Sequence, residues 1–166
     1  ASRLCESDTM SDRAWELFGS TTPGVERVQA VCDWIHGNVA YGVESVPATT
    51  TLEIFERRGG MCRDFAHLGV TFCRALGIPA RYVSGYLLPK ANAEVKQTVT
   101  GESHAWVEAW TGGWWGFDPT NLIEIGHRHV WVAGGRDYHD VPPLKGVYSG
   151  GTASALDVTV DMTRLA

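Results

Sequence analysis

The sequence predicts an α+β domain, with N-terminal helices packed on a C-terminal antiparallel β-sheet. Two observations carry this. Apolar residues recur at helical spacing as far as Leu76, and from Ala80 onward they alternate at strand spacing. Gly77 and Pro79 punctuate the change. Helices first and strands later favour segregated layers over alternating βαβ units. The chain has 166 residues, 44% of them apolar and 20% charged, which suits one domain with a real core.

The elements follow in chain order. Asp8 is placed to cap a short helix carrying Met10, Ala14, Leu17 and Phe18 on one stripe and stopping at Gly19. Thr22-Pro23 opens a second helix, with proline at its first position and Val25, Val28, Cys32, Ile35 and Val39 as its apolar stripe. A third, short helix starts at Thr50, where Glu53 completes a capping-box pattern, and ends at Gly59-Gly60. The fourth begins near Cys62. Ala66, Val70 and Cys73 mark one edge of its buried face, widened by Phe65, Leu68, Phe72 and Leu76. Strands are predicted over 80–88, 103–110, 114–118 and 128–133, and weakly over 155–162. The polar segment 89–102 reads as a mobile loop. There are no internal repeats.

Composition excludes some classes of function. Net charge is −5 with no basic run, which argues against nucleic acid as a partner. No apolar run approaches the length of a membrane helix, and no signal peptide opens the chain. The first residue is Ala, so the chain is expected to be a processed or trimmed product. The four cysteines, at 5, 32, 62 and 73, form no C-x-x-C pair and are expected to be reduced thiols in a cytoplasmic protein. Cys32 and Cys73 fall on helical apolar faces, where cysteine acts as a small hydrophobe.

Cys62 has a different address. It follows a glycine pair at the mouth of an amphipathic helix, in "GGMCRDFAHL". A thiol attacks carbonyls as thiolate, and a free thiol with a pKa of about 8.5 is mostly protonated at neutral pH. A helix N-terminus and a neighbouring histidine both favour the thiolate. Among six histidines, His104 in "ESHAWVEAW" stands out. Alternation there puts His104, Trp106, Glu108 and Trp110 on one face and Ala105, Val107 and Ala109 on the other. A histidine acting as base needs a partner that fixes its tautomer, and Asp118 closes the next strand in "WWGFDPTN".

Hairpin parity tests that pairing. Opposed residues across an antiparallel hairpin keep a constant index sum. A two-residue Gly112-Gly113 turn gives a sum of 225, which puts Asp118 on the face away from His104. A three-residue turn gives 224, opposes Trp106 to Asp118, and leaves Asp118 on the His104 face. Taken singly, a buried cysteine, a strand histidine and an Asp-Pro turn are each most simply structural. Their combination is what points to chemistry.

The blocks "GGMCRDFAHLGVTFCRALGIPARYVSGY", "SHAWVEAW" and "GFDPTN" resemble, in order, the signature blocks of the transglutaminase-like superfamily. "HVWVAGGRDYHDVPPLKGVYSG" resembles the tail of its bacterial branch. The resemblance implies a papain-like core over residues 25–151. A lead-in over 1–24 precedes it and a tail over 152–166 follows, and relatives often carry an upstream β-rich domain. It implies Cys62 as nucleophile, His104 as base and acid, and Asp118 as the orienting carboxylate. Tyr41, Arg63 and Trp106 are candidate oxyanion or substrate contacts. No cofactor is implied, and the expected partner is a peptide or protein amide substrate. Three functions compete on sequence alone. The first is a thiol acyl-transfer enzyme acting on amides, by hydrolysis or by cross-linking. The second is a catalytically idle peptide-binding module of the same fold. The third is a metal-dependent hydrolase built on His127 and His129 with His139 or Asp137.

Overall fold

The computed structural model describes residues 2–89, 94–143, 146, 149–150 and 159–165. Its elements are α1 (Ser11–Phe18), α2 (Val25–Asn38), β1 (Ala40–Tyr41), α3 (Thr51–Arg57), β2 (Gly59–Gly60), α4 (Cys62–Ala75), β3 (Ala80–Leu87), β4 (Thr98–Thr100), β5 (Glu102–Trp110), β6 (Trp114–Phe117), β7 (His129–Gly135) and β8 (Asp161–Thr163). The α+β class holds: helices lie against a four-stranded antiparallel sheet of order β6-β5-β3-β7. No described helix is long and apolar enough to cross a membrane.

The other elements are arranged around α4, which is buried from Asp64 through Cys73 rather than along one stripe. One side meets the helical layer, where Phe65, Leu68 and Phe72 pack with Met10, Phe18, Ile35 and Ile54. The other side meets the sheet, where Ala66, Val70 and Cys73 pack with Ala105, Val107 and Ala109 of β5. The small β5 side chains let the helix approach closely, and a side chain at Gly69 would stand 2.6 Å from Val107. Phe72 is 0% exposed and has ring contacts to Phe18, Trp34 and Phe55. Truncating it to Ala would cost about 3–5 kcal/mol and open the helical layer.

Local signals decide the helix starts. α3 begins as its sequence dictates, with Thr50 Oγ1 accepting the Glu53 N–H and Glu53 accepting the Thr50 N–H. The Asp8 cap is not formed. The cap position falls on Met10, with no side-chain hydrogen bond, because residues 7–10 form a turn before the helix. Pro23 is likewise outside α2. Gly24 has φ of 97° and takes the cap position, so the helix starts two residues later than expected.

Gly59-Gly60, before Cys62, forms a short strand rather than a turn. The left-handed residue is Arg58, with φ of 55°, and the glycines form β2, parallel to β1. What they supply is space. A side chain at Gly59 would stand 2.7 Å from Val43, and one at Gly60 would stand 2.6 Å from Asp64.

The β5–β6 turn is Thr111-Gly112-Gly113, with Gly112 at φ of 98°. Trp110 opposes Trp114 and Val107 opposes Phe117, the register of the three-residue turn. The region 89–102 is not a plain loop, because β4 within it pairs with β8. Half of the weak strand expected over 155–162 lies outside the described residues, and the strand that is described there is β8.

Candidate active site

Strands β1, β3 and β5 meet the N-terminal end of α4. Met61, before the helix, donates its N–H to the Asp64 carboxylate at 2.9 Å. Asp64 is 0% exposed and also accepts the Ser45 hydroxyl and the Arg63 guanidinium. The cap is buried, whereas the Cys62 thiol beside it is half-exposed. The N–H groups of a helix's first turn lack intrahelical acceptors, so the backbone around Cys62 offers donors as well as a favourable dipole.

β5 brings His104 to the thiol. Burial alone disfavours a proton on this ring. Hydrogen bonds and charges from Asp118 and Cys62 outweigh burial and raise His104 from its ordinary 6.5 to about 9. The ring's Nε2 lies 2.8 Å from Asp118 Oδ2, which leaves Nδ1 as the nitrogen available to sulfur. The three-residue turn makes this bond possible, because it keeps Asp118 on the His104 face. Asp118 is 3% exposed. Burial would raise its pKa, but hydrogen bonds from His104 and His129 hold it well below the usual carboxylate range.

Cys62 and His104 line one cleft of about 400 Å³, together with Tyr41, Glu102, Tyr82 and Tyr138. A slightly larger cavity, about 460 Å³, lies behind Asp118 against Cys32, Trp115 and Phe117. Size favours the second and chemistry the first, because only the first offers a half-exposed thiol beside a base. The other thiols are buried, and burial raises them: Cys5 to about 11, Cys73 to about 12, and Cys32 well above its ordinary value. All four are free.

The remaining sequence candidates separate. Tyr41 is 58% exposed on β1 and lines the cleft. Arg63 also lines it, but its guanidinium is held by the Ser45 and Val46 carbonyls at 3.1 Å and lies over the Tyr138 ring. Its visible task is to fix the cleft wall. Trp106 is 1% exposed and lies behind His104, not on the wall. Alternation gave its face correctly, but the indole covers Gly85 instead of reaching solvent.

The proposed histidine cluster does not assemble: His127 is exposed, and the His129 side chain turns to Asp118. Among the described residues, the group with metal-like spacing is His104, Asp118 and His129, whose donor atoms lie within 4.8 Å of one another. Asp137, a candidate metal ligand in the sequence, is buried and instead accepts the Ser2 hydroxyl and the His139 N–H. His67 is buried with its pKa pushed down to about 4, and it accepts the Tyr138 N–H at 3.0 Å. Sequence reasoning missed the task of His129 and the presence of Tyr82 and Tyr138 in the cleft. The local pattern around them carries no signal for either.

Comparison with known proteins is consistent with this geometry. The model of the transglutaminase-like superfamily matches residues 12–119. An uncharacterised protein of Mycobacterium leprae is 51% identical over 144 residues, covering 84% of this chain and 50% of that protein. The solved structure of a candidate cysteine protease from Cytophaga hutchinsonii is similar at a TM-score of 0.74 and 40% identity, covering 85% of this chain and 46% of that one. A protein-glutamine gamma-glutamyltransferase of Pseudomonas aeruginosa is 38% identical over 100 residues, covering 55% of this chain and 15% of that protein. The chain thus spans about half the length of the mycobacterial relative.

Proposed function

This chain belongs to the transglutaminase-like superfamily, and on that footing we propose that it is a cysteine-dependent acyl-transfer enzyme acting on amide bonds. The observation that carries the reading is one arrangement. Cys62 and His104 share a cleft, and Asp118 holds the ring from behind at 2.8 Å.

The chemistry follows from these positions. The thiol proton moves to His104, giving a thiolate–imidazolium pair. The sulfur attacks the amide carbonyl carbon, and the N–H groups at the start of α4 receive the developing oxyanion. Tyr41 is a second candidate donor. His104 passes its proton to the amide nitrogen, the C–N bond breaks, and an amine leaves a Cys62 thioester behind. Asp118 keeps the Nε2 proton in place throughout, so that Nδ1 does the work. Water then attacks the thioester, His104 takes its proton, and the acid departs as the sulfur is released. The cysteine protease resemblance supports this hydrolytic ending. A second ending, attack by another amine, is favoured by the glutamyltransferase relative.

The test is trapping. The protein is incubated with a panel of peptide amides, including glutamine side-chain amides, with and without a dansylated alkylamine. The expected result is an acyl adduct on Cys62 by mass spectrometry, with either acid or dansylated product following. Turnover that persists in Cys62→Ala would overturn the reading. Binding of peptides without any adduct would favour the idle module.

A further inference from the structure

Asp118 has more hydrogen bonds than one imidazole calls for. Its Oδ1 accepts the Thr120 N–H at 2.9 Å and the Asn121 N–H at 3.2 Å. Its Oδ2 lies 2.8 Å from His104 Nε2, 3.0 Å from Asn121 Nδ2 and 3.4 Å from His129 Nε2. The acyl-transfer steps give this second ring no task. Yet its side chain is only 1% exposed, at the start of β7 and on the far side of β3 from β5.

The ring's tautomer can be assigned from its neighbours. His129 Nδ1 accepts the Gly126 N–H at 3.4 Å. A nitrogen that accepts carries no hydrogen, so the neutral ring holds its hydrogen on Nε2, facing Asp118. Trp106 packs edge-on against the ring, with centroids 5.3 Å apart at 73°. It reaches that place across Gly85, where a side chain would stand 2.6 Å from the indole. The same tautomer disfavours a metal at this cluster. Coordination through Nε2 would shift the hydrogen to Nδ1, against the Gly126 N–H.

We propose that His129 is a positioning residue: its Nε2–H holds Asp118 Oδ2 and presents to His104 a fixed acceptor whose charge is already shared. The proposal rests on the acyl-transfer reading for its effect on rate, but not for its effect on the Asp118–His104 pair. A carboxylate that loses one donor binds its remaining partners more tightly and is freer to rotate. His104 would then hold its proton harder and release it less readily to a departing amine. The other titratable groups that feel this pair are Cys62 on α4, Cys32 on α2 and Tyr41 on β1, and the variants below leave all three untouched.

The experiment compares His129→Leu, His129→Asn and His129→Gln in the otherwise intact protein. Gln can place an N–H near the position of Nε2, whereas Asn is too short to do so. The titration of His104 is followed by NMR with labelled histidine, which needs no substrate. The expected result is a midpoint about half a unit higher in the Leu and Asn variants and restored in the Gln variant. With a trapped amide, kcat falls about tenfold in Leu and Asn with KM unchanged, and Gln recovers most of it. Unmoved midpoints in Leu and Asn overturn the proposal, as does a Gln variant no better than Asn. If Leu does not fold, the Asn–Gln pair decides. If Cys62→Ala retains full turnover, the acyl-transfer reading fails, while the midpoints still decide whether His129 governs Asp118.

Discussion

Cys62 and Cys73 stand at opposite ends of α4, and the two ends do different things with the same side chain. Cys73 is 0% exposed among Val70, Ala80 and the small residues of β5, and burial pushes its thiol up to about 12. Cys62 is half-exposed at the helix start, in a cleft with a histidine whose own proton affinity is raised to about 9. The helix start leaves one thiol open to a histidine, and the other end seals its thiol in the core. Position on the helix fixes which groups can reach the sulfur, and desolvation does the rest.

The contrast is most sharply tested by exchanging roles. Cys62→Ala is expected to lower amide turnover at least a thousandfold, roughly the scale of losing a nucleophile. Its unfolding free energy should stay within about 0.5 kcal/mol of wild type. Cys73→Ala should do the reverse, keeping turnover and losing about 1–2 kcal/mol. Urea unfolding and turnover, measured side by side, check both. A loss of several kcal/mol in Cys62→Ala would erase the distinction.

Asp118→Asn sharpens the same comparison from the base's side. Turnover should fall roughly a hundredfold or more, because the amide can hold the ring in the wrong tautomer, while stability changes far less. Loss of both in equal measure would make Asp118 a structural cap of the 118–121 turn only.

Alkylation ranks the thiols directly. Iodoacetamide at mildly acidic pH should label Cys62 first, with Cys5, Cys32 and Cys73 about a hundredfold slower. Equal labelling of Cys5 and Cys62 would remove the case for an activated sulfur, since Cys5 is only 3% exposed.

The smallest effect is on stability against pH. His104 has a folded pKa of about 9, above its ordinary 6.5. Its contribution is therefore complete below about pH 6.5 and lost as pH rises through about 9. Asp118, held low, contributes above the ordinary carboxylate range, and that contribution is lost only as pH falls through its depressed value. The unfolding free energy from urea titration should decline between about pH 6.5 and 9 by an amount on the order of 1–3 kcal/mol. The decline should shrink in Asp118→Asn. An unchanged decline in that variant would mean that Asp118 does not hold the His104 proton.

Much of this site was legible because its signals are local. Thr50 and Glu53 sit one helical turn apart, and their reciprocal cap formed as read. Strand parity needs only residue indices, so it reduced the shared face of His104 and Asp118 to one question, the length of the turn, which the register Trp110–Trp114 then answers. What was not legible depends on strand order. β7 lies next to β3, not next to β5 or β6, and no spacing in the sequence tells His129 that Asp118 is its neighbour. The Asp8 and Pro23 misreadings have one cause. Backbone turns at residues 7–10 and at Gly24 consumed the residues that local preference had assigned to the helices.

The burial of α4 on both sides bears on how the chain is made. A helix this short gains little stability alone, and one buried from Asp64 through Cys73 has little solvent face to settle on. Its helical partners precede it, but Ala105, Val107 and Ala109 emerge from the ribosome well after Cys73. The contacts that finish the helix are thus high in contact order and close late. Until β5 has paired with β3, the nascent Cys62 has no base beside it. The cleft that holds Cys62 and His104 together is thus a product of the completed sheet, and a growing chain does not yet carry it.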